Sequence, residues 1–138
     1  MGATWDKGSK EFSKGRGSLG EEQLNWFEAL MAERQPTVVF IHYPLWLVSA
    51  TEVKDYGLHP LLLKHRESIQ MVIAGHWHKW VDFAYSFGPQ HYVAAATRYD
   101  PNAYMLFEAD SMAQKLRWMN ADLVEWSTHY SKAYARRG

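Results

Sequence analysis

The sequence predicts an α/β fold of the α+β kind, with alternating helix and strand leading into a C-terminal antiparallel meander and a mixed sheet. Three observations carry this expectation. Two short runs, Val38-Val39-Phe40-Ile41 and Met71-Val72-Ile73-Ala74, are apolar at every position, as in strands buried on both faces. Between them, Leu58 to His65 can form one or two helical turns that start at Pro60. A helix between two buried strands is the pattern of an α/β layer. Beyond His78, short strand-like stretches follow one another at hairpin spacing.

In chain order, Met1 to Gly17 reads as a linker, because glycines recur among Ser, Lys and Arg, and the folded domain is expected over residues 18–138. Ser18-Leu19-Gly20-Glu21 matches a capping box, in which serine and glutamate satisfy free amides at a helix start. The helix that follows sets Leu24, Phe27, Leu30 and Met31 on one face and is expected to end near Gln35, ahead of Pro36. The first strand ends at His42, since Pro44 cannot continue a ladder, and the second ends at Gly75-His76. Trp80–Tyr85 and His91–Ala96 flank a hairpin loop over Ser86–Gln90. Tyr104–Glu108 is expected to pair with Gln114–Met119, and Leu123–Arg137 to form a helix with a basic end.

Composition narrows the function classes. The 138 residues fit one domain, and with 47% hydrophobic residues a packed core is expected. Lys plus Arg and Asp plus Glu each number 15, so the basic excess that marks nucleic-acid binding is missing. No basic amphipathic stretch suggests a membrane surface, and no run of about 18 apolar residues suggests a membrane span. The absence of cysteine excludes disulfides, thiolate ligands and cysteine nucleophiles. The polar start lacks a signal-peptide pattern, and the compartment stays open.

Among seven histidines, three stand where chemistry gathers. His42 follows one buried strand, and His76 and His78 follow the other. Sites in open α/β sheets collect at the carboxyl ends of strands, so parallel neighbours would bring the three imidazoles to one edge. On an extended chain, alternate residues such as His76 and His78 face the same way, and can share one metal or serve two. Gly75 just before them would let the backbone turn sharply. His59 and His65 read as surface residues, His91 as a cross-strand residue, and His129 as a helical residue without a visible partner.

At Val38-Val-Phe-Ile-His42-Tyr-Pro44 and Val72-Ile-Ala-Gly75-His76-Trp-His78, the sequence resembles the C-terminal half of the calcineurin-like metallophosphoesterases, which include the purple acid phosphatases. Leu19 to Leu30, with Gln23-Leu-Asn-Trp-Phe, is similar to the family's preceding helix, and the resemblance covers roughly residues 18 to 110. It implies half of a β-sandwich flanked by helices, a phosphate-ester substrate and two divalent or trivalent metal ions (iron, manganese or zinc). It also implies His42 and His76 on one metal and His78 on the other. The family's Asp-x-His, Gly-Asp and Gly-Asn-His motifs do not occur here, and no aspartate is followed two residues later by histidine. The expectation is therefore a fragment that is incomplete alone, and that needs the missing N-terminal half or self-associates through edges which that half would cover. No general acid or nucleophile is assigned, and Arg98 is the candidate to reach substrate phosphate.

Two other readings stay open. Three histidines alone can hold a single zinc with an open position. A degenerate phosphoesterase fold can also serve as an interaction surface, with Trp46, Trp77 and Trp80 as its anchors.

Overall fold

The computed structural model describes residues 17–48, 56–83 and 89–127. In chain order these form helix α1 (Gly20–Ala32), strand β1 (Thr37–Ile41), a 3-10 turn (Leu45–Leu47), helix α2 (Leu58–Lys64) and strand β2 (Ile69–Ala74). Strands β3 (Val81–Asp82), β4 (His91–Val93), β5 (Phe107–Asp110) and β6 (Lys115–Trp118) follow, with a second 3-10 turn at Ala121–Leu123. The fold is mixed α/β. A four-stranded sheet has the order β1-β2-β4-β3, and β5 and β6 form a separate antiparallel pair. No helix among the described residues is long and apolar enough to cross a membrane.

β1 and β2 run parallel, as their place on either side of α2 predicts, with Val39 beside Val72 and Ile41 beside Ala74. β4 joins the other edge of β2 in parallel, and β3 closes that side antiparallel to β4. The predicted hairpin around Ser86–Gln90 is thus present as β3 and β4, although residues 84–88 of it lie outside the described residues. The pairing expected between Tyr104–Glu108 and Gln114–Met119 is the β5–β6 ladder, in which Phe107 faces Trp118.

The two faces of the sheet are covered differently. On one face, Leu24, Phe27 and Met31 of α1 and Leu58, Leu61 and Leu62 of α2 pack against Val39, Ile41 and Val72. Burying each such side chain contributes about 1.5–3 kcal/mol. On the other face the β5–β6 pair is tied to β2 through Gln70. Its amide nitrogen donates to Gln114 O at 2.7 Å and its oxygen accepts from Leu116 N–H at 3.1 Å. Tyr92 meets Trp118 there with ring centroids 5.0 Å apart. Asn120 ties off the pair, accepting from Leu106 N–H at 2.7 Å and from the Trp118 indole at 2.8 Å.

Several expectations are corrected. Among the described residues β1 is an edge strand, and Phe40 on it is 74% exposed, while the printed ties of the β5–β6 pair go to β2 and β4 through Gln70 and Tyr92. The capping box does not form: the residue at the N-cap is Leu19, with no side-chain cap bond. α1 ends at Ala32 rather than near Gln35, closed by Arg34 in the left-handed region (φ 56°), whose amide bonds Met31 O at 3.0 Å. Leu30 points outward and is 40% exposed. After the Ala121–Leu123 turn, residues 124–127 carry no helix, while 128–138 lie outside the described residues, as do 1–16 of the expected linker.

Candidate functional site

β1 and β2 end level with each other, Ile41 beside Ala74, so the residues that follow them are neighbours. The Gly75 amide extends the ladder by one bond, to His42 O at 3.1 Å. His42 Nε2 and His76 Nδ1 lie 3.2 Å apart, one donating and the other accepting according to tautomer. Both side chains are exposed to solvent.

The chain does not reach this geometry by running on as an extended strand. His76 has φ 65° and His78 φ 60°, both in the left-handed region that side-chain-bearing residues avoid. Trp77 N–H bonds Gly75 O at 2.7 Å across His76, which makes a strained γ-turn with His76 at its centre. Gly75 is not the special residue that the sequence suggests, since a Cβ there would meet only His42 O at 3.8 Å. Backbone strain of this kind, about 1–3 kcal/mol per residue, concentrates where geometry serves function.

Tyr43 packs on both imidazoles, its ring centroid 4.9 Å from His42 and 4.5 Å from His76. Gly17 lies behind Tyr43: its amide bonds Leu47 O at 2.7 Å, and a Cβ added there would come within 2.8 Å of the tyrosine ring. His59 steadies the turn beyond Pro44, its Nε2 lying 2.9 Å from Leu45 O. Protein packed around the His76 ring holds its pKa below the ordinary imidazole value, and His42 and His78 push the same way. That shift favours the neutral imidazole, the state that binds a metal.

Of the three predicted ligands, the structure brings His42 and His76 together. His78 is exposed and turns to Tyr99, with ring centroids 5.5 Å apart. Arg98 lies over the Tyr99 ring, 5.6 Å from its centroid. Neither tyrosine had a signal in the sequence, because ring contacts across loops leave no spacing rule to read.

The other histidines sort out by burial. His59 and His65 are half-buried, not surface residues. His91 has the cross-strand role expected of it: it is fully buried and stacks on Phe83, just past β3, at 5.1 Å and 20°. Burial holds its pKa down to about 3, with His59 adding to the effect. His129 lies outside the described residues. The tryptophans proposed as interaction anchors are packed: Trp80 is 2% exposed, and Trp46 and Trp77 are half-buried beside Phe83 and Val93. A groove of about 770 Å³, lined in part by Glu28, Arg34, Lys64, His65 and Glu67, opens at the amino-terminal ends of β1 and β2, the opposite ends from His42 and His76.

Comparison with protein-family models, with curated proteins and with solved structures gives no match.

The donor set can be tested against a metal directly. Two nitrogens bound at about 2.0–2.1 Å around a tetrahedral zinc lie about 3.3 Å from each other. The 3.2 Å between His42 Nε2 and His76 Nδ1 matches the spacing of two positions in such a shell, once the proton they share in their hydrogen bond has left. Among the described residues no group of three or more His, Cys, Asp or Glu is gathered closely enough to hold an ion. The pair thus fits as two donors, with the remaining donors to come from elsewhere.

Proposed function

We propose that this chain carries the histidine side of a metal-dependent phosphoesterase centre of the calcineurin-like type, with His42 and His76 on one cation and His78 directed to a second. The observation that carries this reading is the 3.2 Å approach of His42 Nε2 to His76 Nδ1 at the paired ends of β1 and β2. The order of the motifs supports it: strand, His42, crossover helix, strand, then Gly75-His76-Trp77-His78. A four-stranded mixed sheet, with helices on one face and a β-hairpin on the other, is compatible with part of the family's sandwich.

Bound metals would supply Lewis-acid polarisation of the phosphoryl oxygens. The chain's own contribution is to favour the neutral form of His76, to orient both imidazoles through Tyr43, and to present them on an open rim that a phosphate ester can reach. The carboxylate that would bridge two cations is absent from the histidine motifs, so hydrolysis belongs to a site completed by other residues. A single zinc held by all three histidines would need His78, which faces Tyr99, to turn back to the pair, whereas a second cation leaves His42 and His76 as they stand.

The test is cobalt or zinc titration of the tag-free chain by absorption and calorimetry, beside His42→Ala and His76→Ala. Binding that each substitution weakens at least tenfold supports the reading. Undiminished binding in both variants sinks it. Hydrolysis of p-nitrophenyl phosphate by the metal-free chain would sink it as well.

A further inference from the structure

Gly17 closes the stretch that reads as a linker, yet the structure buries it and fastens it beside the histidine pair. Its amide bonds Leu47 O at 2.7 Å, and it forms a parallel bridge with Val48, which is 5% exposed. The segment that receives it is itself closed. Leu47 N–H bonds Pro44 O at 2.8 Å, Val48 N–H bonds Leu45 O at 3.2 Å, and Leu45 is fully buried. Two ties to a packed turn leave the Gly17 backbone little freedom to withdraw.

Against that backbone lies the Tyr43 ring. A Cβ at position 17 would stand 2.8 Å from Tyr43 Cδ2, 3.3 Å from Cγ and 3.4 Å from Cε2. Carbon atoms in contact settle at about 3.5–4.0 Å, so any residue but glycine would force the ring to shift by roughly 0.7 Å or more. The same ring packs on His42 and His76, its centroid 4.9 Å and 4.5 Å from theirs. It cannot shift without changing its contact with one imidazole or both. Close-packed groups transmit such a displacement rather than absorb it.

We propose that Gly17 is a positioning residue for the His42–His76 pair: its missing side chain lets the Tyr43 ring settle against both imidazoles and hold their nitrogens at metal-binding spacing. The inference rests on the metal-centre reading above and extends that site to the approach to α1. Gly17 acts through Tyr43, and Tyr43 acts on the ligands.

Calorimetric zinc titration of four full chains tests it: the unsubstituted protein, Gly17→Ala, Tyr43→Ala and the double variant. Groups that orient a metal-binding histidine are worth about 10–100-fold in affinity, so each single substitution should weaken zinc binding about tenfold. With the ring gone there is nothing to strike, and adding Gly17→Ala to Tyr43→Ala should weaken binding by less than about twofold more. A general loss of packing would give the same factor in either background, and that result overturns the inference. So does zinc affinity unchanged in Gly17→Ala or in Tyr43→Ala. If Gly17→Ala does not fold, folding restored in the double variant supports the inference, and a double variant that is unfolded as well overturns it. Metal-free NMR gives a second readout: proton contacts between the Tyr43 ring and the His76 imidazole should weaken in Gly17→Ala, and unchanged contacts overturn the inference. Zinc binding undiminished in His42→Ala and His76→Ala would sink the metal reading alone, with the NMR contacts still reporting on Gly17.

Discussion

His42 and His76 are 34 residues apart in the chain, yet their ring nitrogens stand 3.2 Å from each other. Two donors to one ion act as a unit, so their losses should not add. The double variant His42→Ala/His76→Ala is expected to bind zinc no more weakly than either single variant by more than about threefold. Calorimetric titration of all four proteins measures this. Strictly additive losses would show that the two imidazoles bind separate ions.

The left-handed backbone at His76 predicts an unusual ordering of substitutions. Glycine has no penalty at φ 65°, whereas alanine keeps one. His76→Gly is expected to be about 1 kcal/mol more stable than His76→Ala, although glycine is ordinarily the more destabilising replacement. Urea unfolding of both variants gives the comparison, and a less stable glycine variant would remove the case for strain at this turn.

His91 predicts how stability depends on pH. Its pKa is about 3 in the folded chain and near 6.5 when unfolded, so between these values the unfolded chain binds the extra proton. Stability from this residue is therefore complete above about pH 6.5 and falls as the pH drops toward 3, by up to about 1.4 kcal/mol per unit. His91→Phe, which keeps a ring against Phe83, should flatten that part of the stability profile. Denaturant midpoints at pH 7, 6, 5 and 4 for both proteins test the slope.

Phe40 predicts association. It lies on the edge strand β1, 74% exposed, in an uncharged run of β-branched and aromatic residues of the kind that pairs with other chains. The purified chain is expected to elute as self-associated species in sizing chromatography with light scattering. Phe40→Lys, a charge placed on that edge, should shift it toward monomer. A monomeric unsubstituted chain at concentrations of tens of micromolar would contradict this expectation.

How much of this was legible in the sequence depended on whether the cause was local. β2 was readable because its run is apolar at nearly every position, and a strand buried on both faces leaves no other pattern. The meeting of His42 with His76 followed from one further step, that strands on either side of a helix pair in parallel. The same apolar signal misled at Phe40, since it reports what a strand could bury and says nothing about whether a neighbour reaches it. Ser18 matched a capping motif, but Leu19 stands at the helix start. The torsions at His76 and His78 were invisible because non-glycine residues seldom adopt them. Tyr99 and the Asp100–Trp80 bond that steadies it join segments 20 residues apart, and no periodicity encodes such a contact.

The parallel joining of β1 to β2 also sets an order of events. Parallel neighbours cannot meet until the whole connection between them has closed, whereas α1 and the β5–β6 hairpin need only nearby residues. Closing that connection orders the chain between the strands before any contact offsets the loss, so the imidazole pair is the entropically costlier feature to assemble. A ligand that requires both rings will bind only chains that have finished the crossover.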